Sequence, residues 1–200
     1  MFLQNCWYVA AWSKDIGREL RAEAYLGENV VLYRQEDGTP VALENACPHR
    51  KLPLSDGNLK GDHVECGYHG LTFDCAGTCV AAPTQADAIP RRAVVKSYPV
   101  VDRYRLLWIW MGDPELANED DIYDFPPLSD KGNWKGFEKE AYLHYDANWL
   151  LIVDNLSDFS HVAFVHTNTL GGSEAYAYNT IPENIEKLDN GFSNTQKVCD

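Results

Sequence analysis

Two short motifs in this 200-residue chain gather residue types that bind a soft metal: Cys47-Pro48-His49 and Cys66-Gly67-Tyr68-His69, with sixteen residues between them. Each offers one thiolate and one imidazole. That donor set suits a [2Fe–2S] cluster in which one iron takes both sulfurs and the other both nitrogens. Structural zinc is the alternative, because two Cys and two His also make a common tetrahedral zinc set. Zinc fingers, however, usually pair Cys with Cys and His with His, whereas here each motif is mixed. Gly57, Gly61, Gly67 and Gly70 stand around the donors and allow tight turns, Gly70 directly after the last of them.

The mixed loops resemble those of Rieske centres. The resemblance implies that Cys47 and Cys66 hold the inner iron and that His49 and His69 hold the outer one, the natural port for electrons. High-potential Rieske proteins generally carry an extra cysteine in each loop, joined as a disulfide, and a serine after the His-Gly pair. This chain has neither: loop one continues Arg50-Lys51-Leu52-Pro53, and Leu71 follows Gly70. Fewer donors to the cluster sulfurs stabilise the reduced state less, which places the potential in the lower part of the roughly −150 to +300 mV Rieske range.

A second constellation lies at Asn155-x-x-Asp158-x-x-His161-x-x-x-x-His166. On a regular helix, residues three apart are neighbours, so Asn155, Asp158 and His161 form one polar stripe through an apolar segment. His166 does not fit this stripe, because five residues advance it about 140° from His161. For both imidazoles to reach one ion, the helix must end or bulge between them. Two histidines and a carboxylate with open positions form the facial triad of non-haem Fe(II) oxygenases, whereas a core histidine satisfied by a hydrogen bond is the commoner use of such a residue.

The two signatures, in this order, resemble the oxygenase (alpha) component of Rieske non-haem iron aromatic oxygenases over nearly the whole chain. Ring-dihydroxylating dioxygenases usually read Gly-Asp-x-Tyr-His before the second histidine. Here Ser157-Asp158-Phe159-Ser160-His161 stands, closer to the vanillate O-demethylase branch. The resemblance implies a [2Fe–2S] Rieske cluster on Cys47, His49, Cys66 and His69, and a mononuclear Fe(II) on His161 and His166. Asp158 then bridges cluster and iron histidines across a subunit interface, with Asn155 beside it, in a homotrimer. It also implies electrons from an NAD(P)H-dependent flavin and iron–sulfur reductase, O2, and a small aromatic substrate whose O-methyl carbon is hydroxylated and lost as formaldehyde. Family members supply a third iron ligand, an Asp, from beyond the position of residue 200. Asp154 is a weak stand-in and Asp200 too near in sequence, so the expectation is a C-terminally incomplete oxygenase, inactive as this chain alone. A non-enzymatic Rieske electron carrier, a ring-hydroxylating dioxygenase and a zinc-stabilised binding module are the other readings.

The elements that must position these residues are legible in outline. Short β-rich runs at 30–33, 40–44, 64–66, 71–74, 79–82, 94–101 and 106–111 predict a small antiparallel β domain, with Asp102-Arg103 turning the last pair. Residues 112–133 are rich in Asp, Glu, Pro and Asn and read as an interdomain connection. Beyond them, 137–145 alternates like a strand, and Asp146 is a candidate cap for a helix over 148–165. The fold class expected is α+β. A Rieske domain spans 1–112, the connection 113–133, and the first part of a catalytic domain 134–200, helix-grip-like by resemblance.

Composition sets the remaining bounds. A hydrophobic fraction of 45% supports a real core, and a formal charge of −13 disfavours nucleic acid and anionic membranes as partners. An acidic surface also steers a basic redox partner, although staying soluble is its ordinary use. The apolar start at 6–12 is too short for a membrane span and a poor signal peptide, which points to the cytoplasm. Cys6, Cys75, Cys79 and Cys199 are then expected as free thiols.

Overall fold

Strand β3 (Glu28–Arg34) carries four consecutive apolar side chains, Val30 to Tyr33, all fully buried. A strand sends successive side chains to opposite faces, so such a run can be buried throughout only if its sheet is covered on both sides. The computed structural model, which describes residues 2–86, 88–124, 142–169, 180–189 and 191–198, has this arrangement. Val31 and Tyr33 join one core with Leu43, Leu54, Val64 and Phe73. Val30 and Leu32 join a second core with Ala42, Tyr98, Leu107 and Ile109. Each side chain of this size that is taken fully out of water contributes about 1.5–3 kcal/mol.

The central sheet runs β2 (Arg21–Tyr25), β3, β4 (Pro40–Glu44), β9 (Ser97–Tyr98). One neighbour is a meander of β5 (Asn58–Lys60), β6 (His63–Glu65), β7 (Thr72–Phe73) and β8 (Cys79–Ala81). The other orders β1 (Cys6–Trp12), β11 (Leu106–Met111) and β10 (Val100–Arg103). Every pairing is antiparallel. The apolar N-terminal run is therefore a strand against β11, and β2, with few apolar residues, is a strand the sequence reading passed over. The register of β10 with β11 corrects the last turn as well: Arg103 pairs with Leu106, so Tyr104-Arg105 makes the reversal and Asp102-Arg103 belong to β10. Both turn residues have positive φ (58° and 66°), the geometry that matches the twist of a two-residue hairpin.

The acidic stretch after Gly112 begins as part of this unit. Asp113 and Asn118 cap short 3-10 turns at Pro114–Leu116 and Glu119–Asp121, Ile122 is buried, and the Trp7 indole donates to the Asn118 carbonyl at 2.8 Å. The chain divides into two compact units, Met1–Ala141 and Tyr142–Asp200. In the second, α1 (Trp149–Ser157) is capped by Asn148, whose side chain accepts from the Leu150 amide, and not by Asp146. A 3-10 turn (Phe159–His161) and the short α2 (Val162–Val165) follow, then an antiparallel hairpin of β12 (Thr180–Leu188) and β13 (Gly191–Val198). Of the strand expected over 137–145, residues 142–145 are irregular and 137–141 lie outside the described residues.

Candidate metal centres

Loop one leaves β4 and loop two joins β6 to β7, and both close in the same way. The Cys47 amide donates to the Leu52 carbonyl and the Lys51 amide returns to Cys47 O, each at 2.8 Å. In loop two, Cys66 N donates to Leu71 O at 2.8 Å and Gly70 N to Cys66 O at 3.0 Å. In both, the fourth residue after the cysteine is left-handed, Lys51 at φ 58° and Gly70 at φ 74°. Glycine accepts that conformation freely; lysine is held in it by the loop's hydrogen bonds. The sequence hid this equivalence because Lys51 stands where loop two has its glycine, and because one motif spaces its donors by one residue and the other by two.

The matched loops sort the four donors by type. Cys47 and Cys66, each 2% exposed, lie deep enough for their thiols to interact. His49 and His69 sit above them, with Nδ1 atoms 3.1 Å apart and ring centroids 4.5 Å apart. Two nitrogens about 2.1 Å from one tetrahedral ion would be about 3.4 Å apart, so the imidazoles nearly have the bite of a shared ion. Burial above all pushes the Cys47 thiol up, and the neighbouring Cys66 adds to it. Thiolates buried this deeply need cations beside them. Among the described residues, no three His, Cys, Asp or Glu side chains converge on a single point. One zinc is therefore a poor fit, whereas a Cys–Cys pair below a His–His pair fits two irons.

The second pair of histidines is brought together by a broken helix. Where the sequence predicts one helix over 148–165, α1 stops at Ser157, because Asp158 turns to φ −111°, ψ 98°. Its carboxylate then accepts from the Ser160 amide at 2.9 Å, capping the next turn. Hydrogen bonds from the Ser160 hydroxyl and then its amide hold the exposed Asp158 carboxyl below its usual value. The stripe of Asn155, Asp158 and His161 is thus not continuous: Asn155 stays on α1, exposed, and His161 belongs to the following turn. α2 ends at Val165, and the ring of His166 comes within 5.4 Å of His161, centroid to centroid.

Both rings are anchored through Nδ1. His161 Nδ1 meets the Asp158 carbonyl at 2.5 Å, and His166 Nδ1 meets Thr169 Oγ1 at 3.1 Å. A carbonyl only accepts, so the His161 proton resides on Nδ1 and its Nε2 lone pair is available to a metal. Sequence reasoning missed Thr169 and the Asp158 carbonyl; a hydroxyl three residues after His166 was the available signal. Asp154 does not join these rings in a three-residue group, and Asp200 is outside the described residues.

Residues 6–99 match the Rieske [2Fe-2S] domain family, and residues 145–199 match the vanillate O-demethylase oxygenase C-terminal domain. The chain is 51% identical over 184 residues to the toluene-4-sulfonate monooxygenase system iron-sulfur subunit of Comamonas testosteroni, covering 92% of this chain and 52% of that one. It is 43% identical to the oxygenase component of dicamba O-demethylase from Stenotrophomonas maltophilia, covering 82% and 48%. Among solved structures, dicamba monooxygenase bound to 3,6-dichlorosalicylic acid superposes with a TM-score of 0.86 at 37% identity, over 98% of this chain and 56% of that one. The same enzyme with non-haem iron and dicamba gives 0.71 at 43% identity, over 80% and 48%. The chain spans about half the length of the curated relatives it matches. With the cysteine and histidine pairs arranged as two irons require, these matches place the chain in the family of Rieske non-haem iron oxygenase components, in the branch that includes vanillate O-demethylase.

Proposed function

We propose that this chain belongs to the oxygenase component of a monooxygenase that O-demethylates a methoxylated aromatic compound, using O2 and electrons from an NAD(P)H-dependent flavin and iron–sulfur reductase. The observation that carries the reading is that one chain presents both the paired Cys/Cys and His/His loops and a second imidazole pair whose Nδ1 atoms are already engaged. When bound, the cluster supplies single electrons and the mononuclear iron supplies O2 activation. The chain's own part is to hold and orient. Cys47, Cys66, His49 and His69 would hold the cluster. His161 and His166 would hold the iron, with the Asp158 carbonyl and Thr169 hydroxyl fixing the rings through Nδ1. Asp158 is assigned the bridge between cluster and iron histidines of neighbouring subunits in a homotrimer, with Asn155 beside it.

A second substrate reading has its own support. The relative at 51% identity is named for toluene-4-sulfonate, whose methyl group is bonded to ring carbon and not to oxygen. Incubation of the complete oxygenase that contains this chain with reductase, O2 and either an aryl methyl ether or toluene-4-sulfonate separates the two. Formaldehyde and a phenol from the ether support O-demethylation. A benzylic alcohol from the sulfonate, with no formaldehyde from any ether, replaces it with methyl hydroxylation. Reduction of the cluster with no product from either would leave an electron carrier.

A further inference from the structure

Two residues before Cys47 a side-chain amide is taken out of water. Apart from tyrosines and cysteines, Asn45, 8% exposed, is the only polar or charged residue buried among the described residues. A buried amide costs free energy unless its hydrogen bonds are made. Those of Asn45 go to a single residue on the far side of loop one: the Ser55 amide donates to Asn45 Oδ1 at 2.8 Å, and Asn45 Nδ2 donates to Ser55 Oγ at 3.0 Å. A backbone N–H only donates, so the side chain takes this orientation and not its flipped one. The pair closes loop one at its root, outside the turn that Cys47, Lys51 and Leu52 already make.

Both ends of this clasp are tied down. The Asn45 backbone amide donates to the Asn29 carbonyl at 2.9 Å, which holds that end to β3. Ser55 belongs to a 3-10 turn at Leu54–Asp56, in which Leu54 is fully buried in the same core as Cys47 and Cys66. That turn lies directly against loop two. A Cβ on Gly57 would run into the Glu65 carbonyl oxygen, and one on Gly67 would come within 2.9 Å of the Asp56 carbonyl oxygen, so backbone meets backbone on either side of Cys66. We infer that Asn45 is a positioning residue whose side-chain amide, acting through Ser55, sets how far apart the two Cys–His loops stand. The inference rests on the reading of the loops as a cluster site. Each loop there gives one ligand to each iron, so a displaced loop strains a bond to both irons at once, and metal–ligand distances hold to within about 0.2 Å.

The test uses the cluster-loaded chain, reduced without oxygen, with ferrozine as the probe for released iron. Asn45→Ala removes both bonds, Ser55→Ala removes the hydroxyl and leaves the Ser55 amide bonded, and Ser55→Thr keeps both. Leu107→Ala, a truncation in the second core on the other face of the central sheet, is the control for lost stability alone. Positioning predicts iron release roughly tenfold faster from Asn45→Ala, the low end of what loss of an orienting partner costs a metal site, together with a changed EPR line shape. Ser55→Ala should fall between, and Ser55→Thr should match the unsubstituted chain. Leu107→Ala should lower the midpoint of unfolding while leaving release rate and line shape alone. If Asn45→Ala does not fold, Ser55→Ala carries the same comparison. Release from the clasp variants no faster than from Leu107→Ala, or an unchanged line shape in both alanine variants at the clasp, overturns the proposal and leaves the clasp a support of the fold. Failure of the underlying reading is seen separately, as absence of acid-labile sulfide in the unsubstituted chain.

Discussion

At the scale of single residues, the chemistry depends on which atom of each side chain is already committed. Thr169 engages His166 Nδ1, and removing such a partner from a metal-binding imidazole typically costs 10–100-fold in metal affinity. Thr169→Val is therefore expected to weaken Fe(II) binding by about that factor while leaving the cluster's iron and sulfide untouched, read by titrating iron into each protein. Glu28 gives a pH prediction in the first unit. Burial pushes its carboxyl up, but hydrogen bonds from Lys96 and Tyr98, both 2.7 Å, and the Lys96 charge outweigh burial, so the net value is lowered. A lowered carboxyl contributes stability that is full above its ordinary value, roughly pH 4.3, and is lost as pH falls through the folded value. The stability gap between the unsubstituted protein and Glu28→Gln should accordingly be widest near neutrality and close in acid, by denaturant unfolding at several pH values.

At the scale of elements, the two loops are held by close backbone approach. A Cβ at Gly57 would stand 2.1 Å from the Glu65 carbonyl oxygen, at the strand that leads into Cys66. Gly57→Ala should destabilise the first unit by about 1–3 kcal/mol and lower its cluster content, because the backbones must part. Gly17→Ala, with nothing within 4 Å, is the matched control and should do neither. The sequence made the buried strands legible because β3, β4 and β11 are apolar runs. It left β2 obscure, since an edge strand such as Arg21–Tyr25 needs apolar residues on one face only. It also misplaced two turning points, for one reason. Tyr104-Arg105 and Asp158 adopt conformations that neighbouring contacts enforce, and no glycine, proline or Asn-Gly pair marks them. The four cluster donors were legible as residues and the resemblance implied their sorting into a thiol pair and an imidazole pair, but the matched backbone closure that buries the one and exposes the other is a property of loop geometry.

At the scale of the whole molecule, the proposed activity requires two metal sites and the carboxylate proposed to link them between subunits, Asp158. Asp158→Asn removes charge at that link while preserving a side chain able to cap the Ser160 amide, so iron and sulfide content should persist while cluster-to-iron electron transfer slows. Single-turnover kinetics of the complete oxygenase check this, and turnover at the normal rate would withdraw the bridging role. The most direct test of the central claim is the metal inventory of the first unit. Prepared without oxygen, the chain is predicted to hold two cluster irons and two acid-labile sulfides. On reduction it should give an EPR signal of low average g, the signature of histidine in place of thiolate on one iron, and His69→Cys should abolish or alter that signal. One equivalent of zinc with no sulfide would contradict the account.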